Sequence, residues 1–295
     1  MVQHNSVFET LSKLGVASLE HRDILSTSTR DRQDLTVFRD RLSGVIYIDG
    51  FYAGDDVYED GSYRKVNLQN FGARDYEVTV DAERRASAYR PYFAGRQIVD
   101  FGCGDGAFLF KVRHEALSCS GVELQKDYVQ ALRKADIAGY HSLDSVPTES
   151  QDTAFSFHVI EHLPDPIPVL RDLNRILKPE GLIVVEVPHA NDFLLSGLRN
   201  DAFRQFTLWS QHLVLHTRES LKRLLEAAGF EHSVIEGVQR YPLSNHLGWL
   251  ASQKPGGHKG TLSALDTPEL RSAYEAALRK IDATDTLVAV ARKTA

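Results

Sequence analysis

The spacing of apolar positions changes near residue 96. Beyond it, short continuous apolar runs alternate with stretches of helical spacing. The runs are QIVDFG (97–102), CSGVEL (119–124), TAFSFHVI (153–160) and GLIVVEVP (181–188), with HSVIEGVQ (232–239) and DTLVAVARK (285–293) as the last candidates. Between them, GAFLFKVRHEAL (106–117) carries Phe108, Leu109, Val112 and Leu117 at helical spacing. QKDYVQALRKA (125–135), PIPVLRDLNRILKPEG (166–181) and RESLKRLLEAAGF (218–230) are amphipathic in the same way, the last two stopped by Pro179 with Gly181 and by Gly229. Short apolar runs bounded by turn residues read as buried strands, and the 3.6-residue repeat reads as helix. Repeated strand-then-helix units imply a mostly parallel sheet covered by helices on both faces. The loops that follow the strands then gather along one carboxyl edge, where such sheets bind ligands.

Two regions depart from that rhythm. Residues 1–95 are polar and charge-mixed and read as an auxiliary or lid region ahead of a main domain at 96–295. They hold a weak helical pattern at Val7, Leu11, Leu14 and Val16, a loop at 26–34, a hairpin-like segment at 43–63 and a helix at 75–94. Tyr58, Tyr63 and Arg64 are its candidate lid contacts. A long insertion, about 241–283, precedes the last strand and reads as a helical cap. Phe206, Trp209 and Trp249 are candidates for an apolar or sugar-stacking wall, although aromatics at this density are more often core.

Composition narrows the class without naming an activity. The chain has 295 residues, 42% of them hydrophobic, which is ordinary globular composition and enough to bury a large core. A net charge of −6 argues against a general nucleic-acid binder, so no nucleic-acid partner is expected. The two cysteines, Cys103 and Cys119, cannot build a secreted disulfide framework. The start, MVQHNSVFET, lacks the basic and apolar blocks of a signal peptide, and GLIVVEVP is too short to span a bilayer. A soluble, cytoplasmic protein is expected.

The strongest local signal is Asp100-Phe101-Gly102-Cys103-Gly104-Asp105-Gly106, a strand end, a glycine turn and a helix start. Such a turn lets backbone approach a ligand closely, and the helix beyond it offers unpaired N–H groups. Glu123, ending the next strand, is placed to accept both hydroxyls of a ribose. GCGDGA also satisfies the loose dinucleotide fingerprint. Asp100 decides between the two cofactor classes. Its charge repels a pyrophosphate but suits a ligand with an ammonium and a sulfonium centre, as in S-adenosylmethionine (SAM).

With those residues in view, 97–188 resembles the class I SAM-dependent methyltransferases. IVDFGCGDGAFL is similar to their first motif, GVEL to the ribose-acid motif, and SFHVIEHLPDP with LKPEGLIVVEVP to the fourth and fifth strands. The likeness continues through HLVLHTRESLKRLLEAAGF (212–230), and its branch holds ubiquinone-type O-methyltransferases and bacterial enzymes that modify sugars or polysaccharides. Glu180 departs from the glycine usual before the fifth strand. The resemblance implies a Rossmann-like seven-stranded α/β sheet, SAM as cofactor and S-adenosylhomocysteine (SAH) as product. It carries Asp100, Gly102, Cys103 and Gly104 onto the methionine end of SAM, Glu123 onto the ribose, Leu143 or Asp144 onto the adenine, and His158 onto the cofactor edge. It suggests O-methylation of a hydroxyl on a sugar, glycan or small metabolite. C-methylation of a nucleotide sugar, a non-catalytic SAM-binding scaffold and an NAD-type oxidoreductase are the alternatives.

The loop HVIEHLPDP (158–166) supplies His158, Glu161 and His162, and His212 follows later. A histidine can take the acceptor's proton near neutral pH, and His162 and His212 are the candidates for that role. The same groups could hold a divalent cation, but no metal is expected. His189 and Asn191 could face the same edge, while His114 is read as structural on its helix.

Overall fold

The computed structural model describes residues 7–59, 61 and 74–294, the side chains of 74–77 excepted. Among the described residues, eleven strands form two sheets: β1 (Arg22–Ser26), β2 (Val37–Asp40), β3 (Ile46–Ile48), β4 (Gln97–Phe101), β5 (Ser118–Val122), β6 (Ala138–Tyr140), β7 (Gln151–Phe157), β8 (Leu177–Pro188), β9 (Val214–Leu215), β10 (Phe230–Val238) and β11 (Thr286–Lys293). The large sheet has the order β10-β11-β8-β7-β4-β5-β6. The pairs from β8 to β6 are parallel, and β11 runs antiparallel to both β8 and β10. The strand order reverses at β4, which pairs with β5 on one side and β7 on the other. The carboxyl ends of β4 and β7 therefore open the crevice where such sheets hold ligands.

Period-two alternation explains why the central strands are continuously apolar. Ile183, Val185 and Val187 of β8 pack on the Pro166–Ile176 and Arg218–Ala227 helices, through Leu170, Leu173, Leu221 and Leu224. Val184, with Phe155 and Phe157 of β7, packs on the other face against Tyr89, Phe93 and Phe108. Both faces are covered, so neither set of positions is polar. Glu186 shares the side of Val184 and is fully buried.

The N-terminal chain is stitched to the second half rather than standing apart. In the small sheet, β1-β2-β3-β9, the partner of β3 is β9, through Ile46↔Leu215 and Tyr47↔Val214. Its core joins Val7, Leu11, Val37 and Tyr47 to Leu208 and Leu213. Residues just before β9 are thus fixed between the two sheets.

Three elements are shorter than the sequence suggests. The helix expected through 181 ends at Ile176, and Leu177 is already extended. Pro179 disfavours helical geometry at Lys178, so LKPEG becomes the start of β8. The helix after the glycine turn covers only Ala107–Val112, because Glu115 and Leu117 bond back to Gly95 and Arg96. His114 accordingly lies past its end. The 75–94 segment breaks into Arg74–Ala88 and Arg90–Phe93. Among the described residues, no helix is long and apolar enough to cross a membrane.

The Arg218–Ala227 helix begins with a reciprocal cap: the Thr217 side chain accepts from Ser220 N, and the Ser220 side chain accepts from Thr217 N. Thr217→Ala is expected to lower stability by about 1 kcal/mol in chemical denaturation. An unchanged midpoint would show that the cap contributes nothing here.

Candidate functional site

The glycine turn closes the end of β4. Gly102 adopts φ +72°, and a Cβ there would lie 2.4 Å from the Val159 side chain, so both conformation and space demand glycine. Its N–H donates to Val122 O, tying the turn to β5. Asp100 is buried, and its Oδ1 has no hydrogen-bond partner among the described residues. Burial pushes its carboxyl up to about 8, with Arg85 opposing and Glu123 adding to the rise. Glu123 accepts from Gly104 N at 2.8 Å and from Gln125 N at 3.0 Å, which aims its carboxylate across the turn.

The remaining expected cofactor residues line the same edge. Cys103 packs beside Gly121, and burial raises its thiol well above the usual value, so it is a packing group and not a nucleophile. Leu143 is buried in the core at the end of β6, and Asp144, in an exposed 3₁₀ turn, accepts from Ser142 Oγ. Gly61 packs against the end of the Gln125 side chain. The ring of Tyr58 meets that of His162 at 5.9 Å. Gly61 therefore lies at the β5 edge and Tyr58 at the β7 loop, whereas Tyr63 and Arg64 lie outside the described residues.

After β7 the chain turns sharply. His158 takes φ +56°, and its Nδ1 sits 3.2 Å from Glu161 Oε1. Burial, with Arg240 and Arg85 adding, lowers the His158 pKa well below its ordinary value, so the ring is neutral. Glu161 is fully buried, its Oε2 has no hydrogen-bond partner among the described residues, and burial pushes its carboxyl up to about 8. One ligand-type atom from each of Glu161, His162 and His212 lies within 4.8 Å of the others.

The two imidazoles expected to act as base are brought together, their centroids 5.1 Å apart. His162 Nδ1 donates to Gln211 O at 2.7 Å, because a carbonyl can only accept. That bond places a hydrogen on Nδ1, so in the neutral ring the lone pair is on Nε2. Burial first, then the positive charge that a protonated His162 would place beside it, lowers His212 well below its ordinary pKa. Trp209 packs edge-on against both rings, at 5.9 and 5.2 Å, and the Arg30 guanidinium stacks on it at 4.4 Å.

Other candidates belong to the scaffold. Trp249 is core, packed against Phe203 and Phe206. His189 donates to Thr284 O, and Asn191 donates to Asp282, so both brace the end of the insertion.

The sequence reading missed an ion network behind the site. Glu186 is gripped by Arg84 through two 2.9 Å bonds, by Arg85 at 2.8 Å and by Tyr89 Oη at 2.5 Å. Burial pushes the Glu186 carboxyl up, but Arg85 and Arg84 outweigh it and hold it below the ordinary carboxylate range. Asp81 joins Arg84 to Arg240. The network docks the Arg74–Ala88 helix onto the carboxyl edge of the sheet. An acid inside an apolar strand was the available signal, since a buried charge requires partners.

A protein-family model described as a methyltransferase domain matches residues 72–234. The chain is 31% identical over 154 residues to a probable S-adenosylmethionine-dependent methyltransferase of Mycolicibacterium smegmatis, covering 49% of this chain and 56% of that protein. It is 25% identical over 167 residues to a ubiquinone biosynthesis O-methyltransferase of Aeromonas salmonicida, covering 52% and 70%. The chain thus spans little more than half the length of the first of these relatives. In fold it is similar to a SAM-dependent methyltransferase of Archaeoglobus fulgidus, with a TM-score of 0.53 and 22% identity over 78% of this chain and 99% of the other. A possible histamine N-methyltransferase of Thermotoga maritima gives a TM-score of 0.51 at 17% identity, over 81% and 99%.

Proposed function

The chain belongs to the methyltransferase-domain family, and on that premise we propose that it is a class I SAM-dependent methyltransferase acting on a hydroxyl of a sugar, glycan or other small metabolite in the cytoplasm. One observation carries the cofactor reading: a buried carboxyl with an unpartnered oxygen, Asp100, sits at a glycine turn flanked by the acid of the next strand, Glu123. Those residues fit a nucleoside with positive centres and no phosphate. Asp100 would receive the ammonium, the turn would lie along the methionine chain, and Glu123 would accept from the ribose hydroxyls. Bound there, SAM would supply a methyl group activated by a positively charged sulfur.

The remaining work is alignment of the acceptor and removal of its proton. His162 Nε2 is the base in this reading, because its tautomer is fixed by Gln211 O. His212, held neutral by burial, orients the hydroxyl beside it. Tyr58 and Trp209 wall the acceptor and exclude water. The similarity to ubiquinone biosynthesis O-methyltransferases supports an oxygen acceptor, since those enzymes are O-methyltransferases.

Titration calorimetry on ligand-stripped protein tests the cofactor reading. SAM and SAH are expected to bind with micromolar affinity, and NAD⁺ is expected to give no heat. Binding of NAD⁺ in preference to SAM would overturn it.

A further inference from the structure

The chain from β6 to β7 differs from the other connections between the parallel strands of the large sheet. Those each carry an α-helix, Ala107–Val112, Lys126–Lys134 or Pro166–Ile176, whereas residues 141–150 carry one 3₁₀ turn, Leu143–Ser145. The turn follows a strand that is three residues long and at the sheet's edge. It has few backbone bonds of its own: Ser145 N donates to Ser142 O, and Val146 N donates to Leu143 O. A segment with so little internal bonding opens at low cost unless something outside holds it.

Arg175, in the last turn of the Pro166–Ile176 helix, supplies that hold. Its Nη2 donates to Leu143 O at 2.9 Å, and its Nη1 donates to Val146 O and Thr148 Oγ1, both at 3.2 Å. The planar guanidinium thus bridges the carbonyls on either side of Asp144 and Ser145. Along the backbone, Arg175 O accepts from Glu149 N at 3.1 Å, and Ile176 O accepts from Ser150 N at 2.9 Å. Leu143 and Val146 bury their side chains in the core that also holds Leu173 and Ile176. Asp144 is exposed, with Oδ2 accepting from Ser142 Oγ at 3.1 Å and Oδ1 open to a donor.

We propose that Arg175 is a positioning residue for the cofactor, holding the turn after β6 so that Asp144 meets the amino group of an adenine. The inference rests on the reading of the crevice as a SAM site. In that reading Glu123 takes the ribose, and Glu123 N donates to Tyr140 O at 3.0 Å, so the ribose acid is tied to the end of β6. A base carried on that ribose comes to the turn that β6 leads into. Its amino group donates to Asp144 only while the carboxylate stays in hydrogen-bond range, and a shift of about an ångström breaks the bond. Arg175 touches neither the ligand nor the Asp144 side chain and acts through the Leu143 and Val146 carbonyls.

The experiment is titration calorimetry of SAH and of its analogue with purine in place of adenine, which lacks only the 6-amino group. The wild type is expected to prefer SAH by about tenfold or more, the worth of a hydrogen bond to an ionised acceptor. In Arg175→Met, which keeps an unbranched stem without the guanidinium, the preference should fall to about threefold or less, mostly through weaker SAH binding. A purely structural role would weaken both ligands alike and leave the preference unchanged. The Arg175 side chain is 33% exposed, so its replacement does not open the core. If Arg175→Met nevertheless fails to fold, Arg175→Lys decides the matter: one ammonium cannot reproduce the fork across both carbonyls, so part of the preference should still be lost. Asp144→Ala should abolish the preference, and adding Arg175→Met to it should change the preference no further. A preference that survives in folded Arg175→Met overturns the proposal, as does a wild type that binds both ligands equally. In either case the SAM-site reading stands; no heat from either ligand overturns that reading and this inference with it.

Discussion

Glu186→Ala is expected to destabilise the protein by about 3–5 kcal/mol, because removing one partner of a buried ion pair strands the others without a counter-charge. Arg85 and the Tyr89 hydroxyl lose the carboxylate they are directed at, and Arg84 keeps only its bonds to Asp81. Urea unfolding of wild type and variant measures the loss. Glu186→Gln gives the pH dependence, and its sign follows from linkage. The folded-state carboxyl is held below its unfolded value, so the unfolded chain binds the proton first as pH falls. The stabilisation is complete above about pH 5 and shrinks below about pH 4. The gap between wild type and Glu186→Gln should therefore narrow in acid. A gap that stays constant from neutral pH into that range would mean that packing, and not charge, accounts for the role of Glu186.

The same residue shows where sequence reading reaches its limit. The large sheet was legible because each of its central strands is buried on two faces, which forces the continuous apolar runs at β4, β7 and β8. The antiparallel pairing of β10 with β11 left no mark in composition, since it depends on which strand edge the chain meets after the insertion. The small sheet was legible only in part. β9 is two residues long, and its pairing with β3 is a contact between chain segments far apart in sequence. No local periodicity encodes such a pairing.

The site divides in the same way. The glycine turn, and the placing of Asp100 and Glu123 around it, were legible because they follow from fixed local spacing: Gly102 must take a positive φ and leave space beside Val159. His162 and His212 were singled out as residue types, but their meeting depends on the Gln211 carbonyl and the fixed approach to β9. Arg84 and Arg85 lie in a segment that the sequence marks only as a helix. Only the docking of that helix on β8 turns them inward. Trp249 carried two readings in the sequence, a binding wall and the commoner core, and it packs as core.

Glu123→Ala is expected to weaken both SAM and SAH by about 100-fold. Two hydrogen bonds from ribose hydroxyls to an ionised acceptor are together worth about 3 kcal/mol or more, and each 1.4 kcal/mol is about a tenfold change in affinity. Because the ribose is common to both ligands, the loss should be equal for the two. The carboxylate also receives the Gly104 and Gln125 N–H groups, so part of any loss could come from a loosened turn. Glu123→Gln keeps an oxygen acceptor for one of those donors but gives up the charge. It should retain most of the thermal stability and still lose at least about tenfold in affinity for each ligand. If Glu123→Gln binds SAM as tightly as the wild type in calorimetry, the ribose is not held here, and the acid serves only to close the turn.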